Sequence, residues 1–278
     1  MTSAPETADL SASGQMMTQP LIISDLLEYA AAHHGSHEII SRRLEGDIHR
    51  YTYKEALRRS KQLAHGLIAL GVQPGDRVAT LAWNGYRHFE CYYGISGIGA
   101  ICHTVNPRLY SEQVEYIINH AEDCYVFVDA CFAPLLEPIA EQLTSVKGFI
   151  LMIDEDQMPE TSLPNVYNYE HLLAAQPDMF EWPRLDADTA ACLCYTSGTT
   201  GNPKGVCLSR AHMRSVSDGI REVLHRLDIK RHLSALPYGV LLEHVAGINT
   251  AFSQGTTIVS LPLASVGLKG SSSFDPCI

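Results

Sequence analysis

Short apolar runs alternate with amphipathic helical stretches along most of the first 153 residues, and this alternation restricts the fold more than any other feature of the chain. Residues 21–34 carry Leu26, Leu27 and Ala30 at helical spacing, and residues 50–53 read as a short strand. Residues 54–70 place Leu57, Leu63, Ala64, Leu67 and Ile68 on one helical side, with Gly71 as the stop and Gln73-Pro-Gly-Asp76 as a turn. Strands are predicted at 78–82, 100–104, 125–128 and 148–153. Helices fall between them at 87–97, from a Ser111 cap to His120, and at 132–143. Strand–helix alternation at this spacing predicts an α/β fold of layered, mostly parallel sheets with flanking helices. The acidic, Pro-bearing stretch 154–188 reads as a surface excursion.

Composition narrows the function. Of 278 residues, 46% are hydrophobic and 18% charged, which is a globular chain with ample material for a core. The net charge of -11 argues against a nucleic-acid partner, which needs a basic face to neutralise phosphates. A polyphosphate ligand would therefore have to be drawn by a local cation. Residues 1–20 are polar, lack a secretory pattern and read as a disordered leader; no apolar run is long enough to span a bilayer, so the expected location is cytoplasmic. Eight cysteines without a C-x-x-C pair are expected to be buried free thiols.

The chemistry concentrates after residue 190. An apolar run, 191–195, leads into Tyr195-Thr-Ser-Gly-Thr-Thr-Gly-Asn-Pro-Lys-Gly205, and a second apolar run, 206–208, follows. Gly198, Gly201 and Gly205 allow the backbone to bend close to a ligand, and successive N–H groups in such bends form an anion nest. Thr196, Ser197, Thr199 and Thr200 add hydroxyls, and Lys204 adds a positive charge. The order Asn202-Pro203-Lys204-Gly205 is not the Gly-Lys-Ser/Thr of a Walker loop.

This eleven-residue string resembles the signature of the adenylate-forming (AMP-binding) superfamily. Upstream, Asp76-Arg-Val-Ala79, Trp83-Asn84, Ala100-Ile-Cys-His-Thr-Val-Asn-Pro-Arg108, Ile117-Ile-Asn-His120 and Val126-Phe-Val-Asp129 resemble the amino-terminal half of fatty-acyl and methylthiopropionyl-type CoA ligases. The likeness runs from about residue 21 to residue 208 and then weakens. Arg210 stands where many relatives have His, and Leu236-Pro237 opens a motif that continues differently here, through Glu243-His244.

The resemblance implies ATP-dependent activation of a fatty-acid-like carboxylic acid to an acyl-adenylate, then to acyl-CoA, with ATP and Mg2+ as cofactors and coenzyme A as co-substrate. It implies that Thr196 and Lys204 act in catalysis and that Thr196, Ser197, Gly198, Thr199, Thr200, Gly201, Asn202, Pro203 and Lys204 bind the nucleotide. His244 is either a residue of the acyl pocket or a hydrogen-bonded core histidine. Trp83, Tyr92 and Tyr93 divide in the same way between pocket lining and core. The chain is expected to be a partial adenylation domain, residues 21–278 of an incomplete large amino-terminal domain without the carboxy-terminal domain. The family's later Tyr-Gly-x-Thr-Glu stretch, its ribose-holding Asp and its catalytic Lys are not among these residues. A truncated ligase impaired in turnover is the expectation. The alternative is a nucleotide- or acyl-binding remnant, or an interaction protein without catalysis.

Overall fold

A computed structural model describes residues 22–196 and 202–261. The expected leader at 1–20 and the Gly/Ser-rich stretch at 267–274 lie outside the described residues. In chain order the elements are α1 (Ser24–His33), β1 (Glu38–Arg42), β2 (Ile48–Thr52), α2 (Tyr53–Ala69), β3 (Arg77–Leu81), α3 (Tyr86–Gly97), β4 (Ile101–Thr104) and α4 (Ser111–Ala121). There follow β5 (Tyr125–Val128), α5 (Ala133–Leu136), β6 (Phe149–Leu151), β7 (Val166–Asn168), α6 (Tyr169–Ala174), β8 (Ala190–Thr196), β9 (Lys204–Ser209) and α7 (Arg210–Leu224). The last are β10 (Arg231–Ser234), a π-helical segment Glu243–Asn249 that continues into α8 (Thr250–Ser253), and β11 (Thr257–Ser260).

Two sheets result. The larger has the order β7-β6-β5-β3-β4-β8-β9 and is parallel at every pairing except the β8–β9 hairpin. The smaller has the order β10-β11-β1-β2, with only β1–β2 antiparallel. Strand side chains alternate between two cores, as the period of two requires. Val78, Cys102, Phe127, Ile150 and Cys192 join a core with Leu63 and Leu67 of α2, Phe89 and Tyr93 of α3, and Ile39 and Ile258 of the smaller sheet. Ala79, Leu81, Val126, Val128 and Leu151 face the opposite core, with Val114, Ile117 and Ile118 of α4 and Leu136 of α5. Helix α3 is consequently enclosed on all sides, and every residue from Tyr86 to Gly97 is buried.

Local chemistry explains the boundaries. Thr52 and Glu55 form a capping box that starts α2: the Glu55 N–H donates to Thr52 Oγ1 (3.3 Å) and the Thr52 N–H donates to Glu55 Oε2 (2.7 Å). Gly71 takes φ +84° just beyond the helix end, a conformation glycine tolerates best. Four expectations change. Ile68 is 47% exposed and stands off the buried side of α2. Ser111 is the first helical residue and Tyr110 the cap. The helix expected at 132–143 breaks into α5 between two 3-10 turns, because Pro134 and Pro138 remove backbone donors. The stretch 154–188 contributes an edge strand, β7, and α6, whose Tyr169 and Leu173 are buried. The seven described cysteines are free: Cys91, Cys102, Cys124 and Cys192 are buried, Cys131 and Cys194 partly so, and Cys207 is exposed. Among the described residues no helix is long and apolar enough to cross a membrane.

Candidate active site

The parallel sheet sends the carboxyl ends of β3, β4 and β8 to one rim, the usual place for ligands in such sheets. Two chain segments meet there. One is the β8–β9 hairpin, in which Thr196 pairs with Lys204 and Tyr195 with Gly205. The other is the segment from Ser234 to His244.

The hairpin carries the Gly-rich string. Ser197, Gly198, Thr199, Thr200 and Gly201 lie outside the described residues, while Thr196, Asn202, Pro203 and Lys204 lie within them. The string joins two antiparallel strands rather than a strand and a helix. Any anion site there draws on loop N–H groups and side chains, with no helix terminus directly after it. The register sets Thr196 and Lys204 opposite one another at the loop's root, and both are exposed. The Lys204 ammonium makes no ion pair or hydrogen bond among the described residues.

Asn84, just past β3, fixes the second segment. Its Nδ2 donates to the Leu236 carbonyl (2.7 Å) and to Ser234 Oγ (3.2 Å), and its Oδ1 accepts from the Tyr238 N–H (2.7 Å). The Tyr92 hydroxyl donates to the Tyr238 carbonyl, and Thr104 Oγ1 donates to the Gly239 carbonyl at 3.4 Å. Thr104 also pairs in register with Cys194, two residues before Thr196. The end of β4 therefore touches both the hairpin root and the second segment.

That segment delivers His244 into the π-helical turn. Such turns are rare and recur at functional sites. The His244 side chain is buried, its ring centroid lies 3.6 Å from that of Tyr92, and neither ring nitrogen has a hydrogen-bond partner among the described residues. Burial, with His88 adding, pushes the imidazole down to about 3, so it is neutral near pH 7. His244 is thus the buried helical histidine of one sequence reading, without the hydrogen bond that reading expected among the described residues. Its neighbour Glu243 is committed to structure, accepting from the Ser234 hydroxyl at 2.6 Å and facing His232 Nε2 at 2.9 Å. Trp83, Tyr92 and Tyr93 are all buried.

Sequence reasoning missed two anchors. Asn84 was visible only as part of a motif, without a role. Arg210 stood out only as the residue where many relatives have His, and it is 1% exposed. It donates to Thr189 Oγ1 (2.6 Å) and to the carbonyls of Ala190 (2.5 Å) and Ser96 (3.1 Å). Nothing local marks such a residue, because its acceptors come from other elements. No group of three or more His, Cys, Asp or Glu able to hold a metal occurs among the described residues.

The profile of the AMP-binding enzyme family matches residues 27–270. The 3-methylmercaptopropionyl-CoA ligase of Ruegeria lacuscaerulensis is 46% identical over 213 residues, 76% of this chain and 40% of that protein. The medium-chain-fatty-acid–CoA ligase of Ectopseudomonas oleovorans is 40% identical over 260 residues, 93% of this chain and 47% of that protein. The chain thus spans about half the length of the curated relatives it matches, or less. Among solved structures, the anthranilate CoA ligase AuaEII in complex with anthranoyl-AMP superposes with a TM-score of 0.75 over 88% of this chain and 46% of that one, at 20% identity, a likeness of fold.

Proposed function

The chain belongs to the AMP-binding enzyme family, and on that premise we propose that residues 196–204 receive the phosphates of ATP during activation of a carboxylic acid. The observation that carries this reading is the hairpin root, where an exposed Lys204, without a partner among the described residues, stands opposite Thr196 in a chain of net charge -11. A carboxylate oxygen of the substrate attacks the α-phosphorus, the bond to the bridging oxygen breaks, and acyl-adenylate and pyrophosphate form. The thiol of coenzyme A then displaces AMP to give acyl-CoA. Negative charge gathers on the departing pyrophosphate, and Lys204, the Thr196 hydroxyl and the N–H groups of residues 197–202 would offset it. No protein nucleophile is needed. The described residues offer no carboxylate cluster for Mg2+, so no step is assigned to the metal.

His244 is the proposed contact to the acid. A buried neutral imidazole has one N–H to donate, and this one meets no acceptor among the described residues. A carboxylate oxygen or the adenylate carbonyl would accept it. The two relatives are named for a thioether acid and for medium-chain fatty acids, so the proposed acid class is a short to medium aliphatic carboxylate.

Titration calorimetry with Mg·ATP tests the phosphate site. Lys204→Ala is expected to weaken binding about tenfold or more, the worth of a charge-assisted hydrogen bond. Equal affinities would exclude the role.

A further inference from the structure

Among the described residues β9 is the edge strand of its sheet, with β8 its one neighbour, and residues 204–207 are exposed. Its position therefore depends on the ladder to β8 and on side-chain ties from β8 inward. Tyr195, immediately before Thr196, makes those ties. Its ring packs with the α4-side core, and its hydroxyl lies 2.7 Å from His120 Nδ1 on α4. The same ring lies 5.1 Å, centroid to centroid, from His103 on β4.

His103 and Asp123 beneath it are both fully buried and form a 2.6 Å pair, Nδ1 to Oδ2. His103 Nε2 and Asp123 Oδ1 have no hydrogen-bond partners among the described residues. An apolar pair would fill the same place without that desolvation cost. Across the hairpin the fit is close. A Cβ at position 205 would stand 3.2 Å from Tyr195 Cζ and 3.1 Å from Leu193 Cδ1, so glycine there lets the tyrosine ring lie over β9. Burial, with the Asp123 charge adding, pushes the phenol up to about 12, and near pH 7 it keeps the proton it can donate to His120.

We propose that Tyr195 is a positioning residue of the phosphate loop: seated on Gly205, flanked by the His103–Asp123 pair and tethered to His120, it ties the hairpin to the sheet's core and sets Thr196 against Lys204. The role of Tyr195 rests on the reading of residues 196–204 as an ATP phosphate site. The tether itself does not, and the two are separable by experiment.

Amide hydrogen exchange on the full 278-residue chain reads the tether. Tyr195→Phe keeps the ring and removes the hydroxyl, and His120→Leu removes the partner. Each is expected to speed exchange across residues 192–196 and 204–208 about fivefold, the worth of one neutral hydrogen bond, while α2 and α3 stay unchanged. His120→Asn places an amide near the Nδ1 position and is expected to restore wild-type exchange. Calorimetry with Mg·ATP reads the consequence: the first two variants bind about fivefold more weakly and His120→Asn binds like wild type. Unchanged exchange in Tyr195→Phe overturns the proposal, as does faster exchange spread equally through α2 and α3, the mark of a general stability residue. Wild-type affinity in Tyr195→Phe, with Lys204→Ala impaired, overturns the positioning role and leaves the phosphate site standing. No binding by wild type, with the exchange pattern intact, removes the phosphate site and with it the positioning role.

Discussion

His88 and His244 pack on the same tyrosine, Tyr92, and both are buried. The His88 Nδ1 faces the Trp83 carbonyl at 3.1 Å, and a carbonyl only accepts, so that nitrogen carries the proton of the neutral ring. Burial holds His88 down to about 4 and His244 to about 3. An unfolded imidazole protonates near pH 6.5, so below that the unfolded chain binds more protons than the folded one. Their contribution to stability is full above about pH 6.5 and shrinks as pH falls toward the folded values, by roughly 3 kcal/mol for one such group. Thermal melting should therefore fall in midpoint between pH 7 and pH 5. His244→Phe, which keeps the ring and removes the titration, should flatten the profile. A wild-type profile already flat over that range would show that these histidines titrate alike in both states.

At the scale of elements, Arg210 joins four of them. From the first position of α7 it reaches β8 at Ala190, the end of α3 at Ser96 and, at 3.5 Å, the carbonyl of Ala100 just before β4. Truncation would leave those acceptors dry and unpaired around a cavity. Arg210→Ala is expected to cost roughly 2–4 kcal/mol in urea unfolding, and a loss under about 0.5 kcal/mol would refute the anchoring role. The same residue shows where sequence reading stops. Strands and helices from residue 48 to residue 128 were legible because their apolar periods are local, and the hairpin string because its Gly and hydroxyl spacing is itself the signal. Strand β1 was not, since five residues with Ile39 and Ser41 buried offer too short a period. The single helix expected at 132–143 outweighed two prolines that the backbone could not ignore. Arg210, Asn84 and the His103–Asp123 pair take their meaning from partners brought in by topology. His244 was visible as a residue, and its nitrogens' want of a partner among the described residues only in three dimensions.

The whole molecule depends on a charged cluster where the two sheets meet. Arg87 on α3, with a side chain 7% exposed, donates to Glu45 (2.8 Å) between β1 and β2, to Asp154 (2.5 Å) beyond β6 and to Glu170 (2.7 Å) on α6. Arg59 on α2 adds Glu90 (2.8 Å) and a second contact to Glu170 (3.0 Å). The smaller sheet, both central helices and the far edge of the larger sheet are thus joined through two guanidiniums that share Glu170. Burial opposes ionisation of Glu170, yet Arg59 and Arg87 outweigh it and hold the carboxyl down to about 2. Arg87→Met would keep the stem and take one cation from three carboxylates, leaving Glu170 to Arg59 and Asp154 and Glu45 to Arg43, a change expected to cost roughly 3 kcal/mol near pH 7. The sign of its acid dependence follows. A carboxyl with a depressed folded pKa stabilises above its unfolded value and loses that contribution as pH falls through the window below about 4.5. With Arg87 gone the depression is smaller, so less is left to lose. The stability gap between wild type and Arg87→Met should narrow as pH drops from about 4.5 toward 2, while the histidine term affects both chains alike. Denaturant titrations of the two proteins at pH 7, 4.5 and 3 measure it, and a gap that stays constant would mean that Arg87 acts by packing rather than by charge.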